Sequence, residues 1–93
     1  MNDNIMIDNL MSIIKRVTNI LWNEPEDIIT IKENLSNNFA SDYNEDYLEP
    51  ALEWLISAEW VEKRRGFFCL TIKGRKELPF FLPDGVYPEY VFV

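Results

Sequence analysis

Apolar residues recur every three or four positions over the first quarter of the chain, which is the period of an α-helix. They form two neighbouring rows within residues 5–22: Met6, Leu10, Ile13, Val17 and Ile20, and beside them Ile7, Ile14 and Leu21. The pattern predicts an N-terminal helix, within residues 1–22, that has a wide apolar face. The first row would face the domain core. The second row fits either a deeply buried helix or the contact between two copies in a homodimer.

The next segment predicts a turn, a short extended piece and a second helix. Pro25 lies in a polar turn over residues 23–27, and the sequence "DIIT" over residues 27–30 fits an extended piece. Thr30 and Glu33 have the spacing of a capping box, in which each side chain accepts a hydrogen bond from the backbone amide of the other residue. We therefore expect the second helix over residues 31–38, with Ile31 and Leu35 buried.

A third helix is expected from Asn44 onward, although a proline falls inside it. Either Asp42 or Asn44 can act as its N-cap, since both side chains accept hydrogen bonds from free amides. Pro50 lacks an amide and clashes with the preceding turn when it lies in a helix interior. The helix therefore either begins at Pro50 or begins near Asn44 with a distortion, and we favour the second alternative.

The last third of the chain predicts a hairpin, a short helix and a tail. Strands are expected over residues 60–64 and 67–70, because Gly66 supplies the positive φ of a tight turn after Arg65. Thr71 can cap a helix that runs to Leu78, and Pro79 is expected to end it. Residues 79–93 hold three prolines and several aromatic rings. We expect them to form an extended tail packed against the domain.

The order of these elements resembles the winged helix-turn-helix class, and the residues around the hairpin resemble MarR- and PadR-type regulators. The sequence "LTIKGR" over residues 70–75 matches the segment that follows the wing in those regulators, whereas Glu59 stands where they have glycine. The resemblance implies one α+β domain over residues 1–93, with helices packed on a short antiparallel hairpin. It also implies that the third helix enters the major groove of DNA and that the wing contacts the DNA backbone.

The charge of the third helix opposes that implied function. The chain carries 16 acidic and 9 basic residues, and no Lys or Arg lies between Lys32 and Lys63. DNA affinity depends on cations that replace counterions at the phosphates. At a helical rotation of about 100° per residue, four of the acids share one arc. The candidate partner-binding residues of this helix are Asp42, Glu45, Asp46, Glu49 and Glu53, with the aromatic residues Tyr47 and Trp54 beside them. The acids fit either a partner-binding surface or an ordinary solvated face of the helix.

The aromatic and basic residues have alternative interpretations. Tyr47 and Trp54 fit either anchors for a partner or rings that pack under the C-terminal tail. Six of the nine basic residues lie in or after the hairpin. They fit either DNA contacts or charges that keep the hairpin edge from pairing with other strands. The candidate DNA-contacting residues are Lys63, Arg64, Arg65, Lys73 and Arg75.

The composition argues against an enzyme. There is no histidine, and Cys69 is the only cysteine, so neither a histidine base nor a cysteine zinc site can form. No glycine-rich phosphate loop is present. We expect no cofactor, no metal and no membrane segment. The N-terminal residues lack the features of a secretory signal, which predicts a cytoplasmic protein.

Three functional hypotheses follow from these observations. The first is a non-enzymatic module that binds a basic protein through the third helix, as an immunity protein, antitoxin, inhibitor or DNA mimic would. The second is a dimeric transcriptional regulator that contacts DNA mainly through the basic wing. The third is a structural subunit of a larger complex. The charge of the third helix favours the first hypothesis.

Overall fold

The described part of the chain holds four α-helices, one 3₁₀ turn and three short strands. The computed structural model describes residues 3–39 and 43–82, with side chains over residues 9–38 and 43–82. In chain order the elements are α1 (Asp3–Asn23), β1 (Glu26–Asp27), α2 (Ile28–Phe39), a 3₁₀ turn (Glu45–Tyr47), α3 (Leu48–Ser57), β2 (Val61–Arg64), β3 (Phe67–Leu70) and α4 (Ile72–Phe81).

The three strands form one antiparallel sheet in the order β1-β3-β2. Glu26 pairs with Phe68 at one side of β3, and Val61 pairs with Leu70 at the other. The predicted α+β class is therefore confirmed, and the arrangement of helices around a short hairpin is consistent with a small winged-helix fold. We refer to the β2–β3 hairpin as the wing.

Both apolar rows of α1 are buried or half-buried wherever their side chains are described. Ile13 and Val17 of the first row are buried, and Ile14 and Leu21 of the second row are each 1% exposed. These two second-row residues are covered by the same chain, which confirms the deeply buried alternative for them. A homodimer through α1 stays a prediction, and its contact would need other residues. The side chains of Met6 and Ile7 lie outside those that the structure describes.

Helix α2 begins three residues earlier than the capping box predicted. Asp27 is its N-cap, since its Oδ1 accepts a hydrogen bond from the Thr30 amide at 2.8 Å. This bond holds the pKa of the Asp27 carboxyl below its ordinary value. The extended piece is only Glu26–Asp27, because these two residues pair with β3 and leave Ile28 free to start the helix. The prediction of an extended segment up to Thr30 was therefore wrong.

The third helix begins as the favoured alternative predicted. The Asn44 side chain accepts a hydrogen bond from the Asp46 amide at 3.0 Å and caps a 3₁₀ turn that leads into α3. Pro50 is the third residue of α3. A proline is tolerated in a first turn, where few amides have partners within the helix. Asp42, the alternative cap, lies outside the described residues.

Helix α3 ends with a residue in the left-handed conformation. Glu59 has a φ of 64°. The Trp60 amide donates to the Leu55 carbonyl at 3.0 Å, and the Glu59 amide donates to the Ile56 carbonyl at 2.9 Å. These two bonds form a Schellman motif, which usually has glycine at this left-handed position. This position thus has the backbone conformation typical of glycine, although a glutamate occupies it.

The hairpin turn and the cap of α4 agree with the sequence. Arg65 and Gly66 both have positive φ, at 52° and 84°, as a two-residue type I′ turn requires. Thr71 Oγ1 accepts from the Gly74 amide at 2.9 Å and also donates to the Glu59 carbonyl at 2.7 Å. One side chain therefore starts α4 and ties it to the end of α3.

Helix α4 does not stop before Pro79. It continues to Phe81, and the Leu82 amide still donates to the Leu78 carbonyl. The fixed φ of proline suits a helix, and Pro79 costs α4 one amide donor without ending it. The prediction of an extended segment from Pro79 was therefore wrong for residues 79–81. The rest of the predicted tail, residues 83–93, lies outside the described residues.

Candidate functional site

Helix α3 separates a buried side from an exposed acidic side. Its buried residues, which pack into the core, are Leu48, Ala51, Leu52 and Leu55. On the opposite side Glu49 and Glu53 are exposed, and Asp46 of the preceding turn is exposed as well. We call Asp46, Glu49 and Glu53 the acidic face. The predicted segregation of leucines and acids on this helix is therefore present.

The acids differ in whether another part of the chain neutralises them. Glu45 forms an ion pair with Lys32 of α2, at 3.1 Å between Nζ and Oε1. Within the described part of the chain, neither Glu49 nor Glu53 forms an ion pair. Glu45 is thus partly neutralised by α2, whereas Glu49 and Glu53 present their charge to solvent. Asp42 of the predicted set lies outside the described residues.

The aromatic residues of this helix are held within the domain rather than displayed on the acidic face. The Trp54 ring lies 5.3 Å from the Trp60 ring and 5.4 Å from the Phe81 ring, measured between centroids. Tyr47 is half-buried and packs against the core. Trp54 therefore packs under the end of α4. Both side chains are half-buried, so part of each stays accessible, and their role as partner anchors stays a prediction.

A further apolar residue, which the sequence pattern did not single out, lies beside the acidic face. Ile56 is 39% exposed and lies on α3 near Glu53. It borders a groove of about 340 Å³ between α3 and the wing. The remaining residues of this groove are Ile28, Glu49, Leu52, Glu53, Lys63 and Phe68. The sequence signal was available, because Ile56 follows Glu53 by three positions and so shares its side of the helix.

The exposed cations of the wing lie close to other groups of the same chain. Arg64 forms an ion pair with Glu62, at 2.9 Å between Nε and Oε1. The Lys63 ammonium lies 5.4 Å from the centroid of the Phe68 ring. Arg65 is exposed in the turn itself. Lys63 also borders the groove described above, so a positive charge of the wing lies beside the acidic face.

The two remaining candidate DNA-contacting residues lie after the wing and differ from each other. Lys73 is exposed. Arg75 is half-buried and donates from Nη1 to the Trp22 carbonyl at 3.0 Å, with its guanidinium 5.2 Å from the Trp22 ring centroid. Arg75 therefore joins α4 to the end of α1. The structure does not bring it together with the wing-tip cations as one basic surface.

Packing within the domain explains why the segment "LTIKGR", residues 70–75, has several of its residues. Thr71 caps α4, and Arg75 holds α1, as described above. Gly74 is buried, and a Cβ atom at this position would overlap the backbone carbonyl of Trp60. Three residues of the segment that resembles regulator families thus support the fold itself. Their presence is compatible with a winged helix that does not bind DNA.

The described residues contain no group of three or more His, Cys, Asp or Glu side chains placed to hold a metal ion. Over the same residues, no helix is both long and apolar enough to cross a membrane. No protein-family model, no curated protein and no solved structure matches this chain. Its function must therefore be argued from the chain itself.

Proposed function

We propose that the protein is a non-enzymatic module that binds a basic protein partner through the acidic face of α3. Immunity proteins, antitoxins, inhibitors of basic enzymes and DNA mimics all belong to this class of binding protein. The observation that carries the proposal is the state of Glu49 and Glu53. Both are exposed, they lie one helical turn apart, and neither forms an ion pair within the described chain.

The electrostatics of this surface favour a cationic partner. The chain has a formal net charge of -7. Complementary charge speeds the encounter of two proteins and rejects partners of like charge. Two adjacent carboxylates that form no ion pair within the described residues would gain the most from a partner's Lys or Arg. The nearby groove adds apolar contact through Ile56, which charged surfaces alone do not provide.

A DNA-binding regulator is the second candidate function, and one observation favours it. Arg64 and Arg65 are exposed at the wing tip, where winged helices contact the DNA backbone. Against it, Glu49 and Glu53 occupy the helix that would enter the major groove, where phosphates lie on both sides. Arg64 is also already paired with Glu62. The acidic-face proposal therefore has the stronger physical support.

The first experiment tests the second candidate directly. Purified protein is titrated into fluorescently labelled duplex DNA at low and at moderate salt, and fluorescence anisotropy is measured. Low salt gives a weak non-specific binder its best chance. We expect no binding by the natural chain. Binding that weakens steeply with salt, and that is lost in Arg64→Ala/Arg65→Ala, would instead establish the regulator.

The second experiment tests the acidic face with a charge-matched control. Glu49→Lys/Glu53→Lys and the control Glu24→Lys/Glu33→Lys change the net charge equally, since all four glutamates are exposed. Immobilised natural chain, variant and control are each exposed to a set of purified basic proteins, and retention is measured. We expect the control to retain what the natural chain retains, and the α3 variant to lose it. Equal retention by both variants would contradict the proposal.

A further inference from the structure

One edge of the sheet has backbone groups that point away from the sheet. Strand β2 is the last strand in the order β1-β3-β2. The Thr71 amide donates to the Trp60 carbonyl at 3.0 Å, so residues 60 and 71 are a hydrogen-bonded pair. Bonded and non-bonded pairs alternate in an antiparallel ladder. The amides and carbonyls of Glu62 and Arg64 therefore face β3, and those of Val61 and Lys63 face outward.

A second groove lies beside this edge. It has a volume of about 800 Å³ and is bordered by β2 and by two exposed isoleucines, Ile56 of α3 and Ile72 of α4. Ile72 is 71% exposed and Ile56 is 39% exposed. Ile56 and Lys63 also border the groove under the acidic face. The free edge, the two isoleucines and the acidic face thus form one continuous surface.

We propose that an extended segment of the basic partner pairs with β2 as a fourth strand of the sheet. This inference rests on the proposed function and names the form in which the partner binds. Strand addition to an exposed edge takes its affinity from backbone hydrogen bonds and its specificity from alternate side chains. Guest side chains on the α3 side of the sheet would face Glu49, Glu53 and Ile56. We therefore expect alternate Lys or Arg residues, whose long apolar stems suit Ile56 and whose cations suit the two glutamates.

The charges along β2 argue against a second copy of this chain as the occupant. Two β2 strands from two copies could pair symmetrically and antiparallel. Because only the backbone groups of residues 61 and 63 face outward, a pairing that matches more than one residue must be centred on residue 62 or on residue 63. The first register puts Glu62 opposite Glu62 of the second copy, and like charges directly opposite each other destabilise a strand pair. The second register puts Lys63 opposite Lys63 but also Glu62 opposite Arg64 twice, so it is opposed mainly by the repulsion between two chains of net charge -7. A basic segment of a different protein also brings a cation beside Lys63, but Glu49 and Glu53 border the same groove and it meets no overall repulsion.

The proposal is tested on the full chain with a synthetic probe. The probe is a blocked eight-residue peptide of alternating lysine and valine, and the control peptide has glutamate in place of lysine. Amide hydrogen exchange and ¹H–¹⁵N spectra are recorded with and without each peptide. In the free protein we expect the Val61 and Lys63 amides to exchange at least about tenfold faster than those of Glu62 and Arg64, because only the latter bond to β3. The lysine peptide should slow the exchange of Val61 and Lys63, and the glutamate peptide should not.

A proline substitution separates the backbone of the edge from its side chains. Lys63→Pro removes one outward amide and leaves every bond to β3, which is the setting in which proline is tolerated in an edge strand. Losing this donor should weaken peptide binding about tenfold. Lys63→Ala keeps the amide and should change the affinity less than about twofold. Circular dichroism and the melting temperature show whether each variant folds. If a variant does not fold, the hydrogen-exchange measurement on the natural chain still tests the proposal.

The outcomes distinguish this proposal from the function on which it rests. Equal peptide affinity in Lys63→Pro and Lys63→Ala would overturn strand pairing. Slow exchange of Val61 and Lys63 in the free protein would also overturn it, since the edge would already be covered by the chain or by a second copy. Sensitivity to Lys63→Pro without sensitivity to Glu49→Lys/Glu53→Lys would support strand pairing and contradict the acidic-face proposal. The reverse result would support the acidic face and contradict strand pairing.

Discussion

The acidic face of α3 and the wing region, residues 59–75, both carry charged side chains, but these side chains differ in whether they contact other groups of the same chain. In the wing region Arg64 pairs with Glu62, Lys63 lies over Phe68, and Arg75 binds the Trp22 carbonyl. On the acidic face Glu49 and Glu53 have no such partner within the described chain. Much of the positive charge therefore supports the domain itself, while this negative charge is available to another molecule.

The difference shows that part of the basic segment has a structural role within the domain. Arg75 is the clearest case, because its guanidinium contacts both the backbone and the ring of Trp22. The opposite holds on α3, where the leucines on the buried side supply the packing, while Glu49 and Glu53 form no ion pair within the described residues. Substitutions should therefore destabilise the domain at wing-region residues that make close internal contacts, such as Gly74 and Arg75, and leave it intact on the acidic face.

The largest effect is expected at Gly74. In Gly74→Ala the new Cβ atom would overlap the Trp60 carbonyl, so α4 would have to shift away from the end of α3. We expect the free energy of unfolding to fall by about 3 kcal/mol, as for other overpacked sites. Urea denaturation of the natural chain and the variant measures the change.

Gly66→Ala is the matched control for that substitution. Gly66 has a φ of 84°, but a Cβ atom there would meet nothing within 4 Å. Gly66→Ala should lower the free energy of unfolding only by the strain of an alanine in the left-handed conformation, about 1 kcal/mol. If the two alanine variants lost equal stability, the close contact at Gly74 would not be what fixes the wing region.

Arg75 is expected to give the next largest effect. Arg75→Ala removes a hydrogen bond to a carbonyl and a cation–π contact with Trp22. We expect a loss of about 1.5 kcal/mol in the free energy of unfolding. Lys73→Ala, at an exposed lysine of the same helix, should lose less than about 0.5 kcal/mol. Equal losses in the two variants would mean that Arg75 does not join α4 to α1, and a basic surface for DNA would again be plausible.

Replacing Glu59 should stabilise the protein. Glu59→Gly keeps both hydrogen bonds of the Schellman motif and removes the steric strain of a side chain at a φ of 64°. A non-glycine residue in this conformation costs roughly 1–2 kcal/mol, part of which the extra flexibility of unfolded glycine offsets. We expect a gain of about 1 kcal/mol in the free energy of unfolding. Glu59→Ala removes the same side chain but keeps the strain, so it should show no such gain.

The fold could be predicted in outline because each main element has its own local signal. The two apolar rows of α1, the Arg65-Gly66 turn and the Thr71 cap all depend on neighbours in sequence. The errors have a different origin. Helix α2 begins at Ile28 because Glu26 and Asp27 pair with β3, which lies forty residues later in the chain. Strand pairing between residues so far apart in the chain cannot be predicted from the local sequence pattern.

The candidate site was predicted in part, for similar reasons. Helical spacing places Glu49 and Glu53 on one exposed side, so the acidic face follows from the sequence. Spacing alone does not show that Trp54 packs against Trp60 and Phe81 or that Arg75 contacts Trp22, because these partners lie far along the chain. The sequence thus predicted which charges lie together, and tertiary contacts decided which of them have partners.

The smallest expected effect concerns the acidic face itself. Like charges one helical turn apart destabilise a helix by roughly 0.2–0.5 kcal/mol. Glu49→Gln/Glu53→Gln removes that repulsion, so we expect the free energy of unfolding to rise by about 0.3 kcal/mol at low salt. The gain should shrink as salt is added, because exposed charges are screened. Chemical denaturation of both proteins at low and at high salt measures it. A clear loss of stability would show that the two carboxylates support the fold, and the comparison between the acidic face and the wing region would then fail. A small gain at low salt would mean that folding does not explain this pair of charges, as the proposal of a basic partner requires.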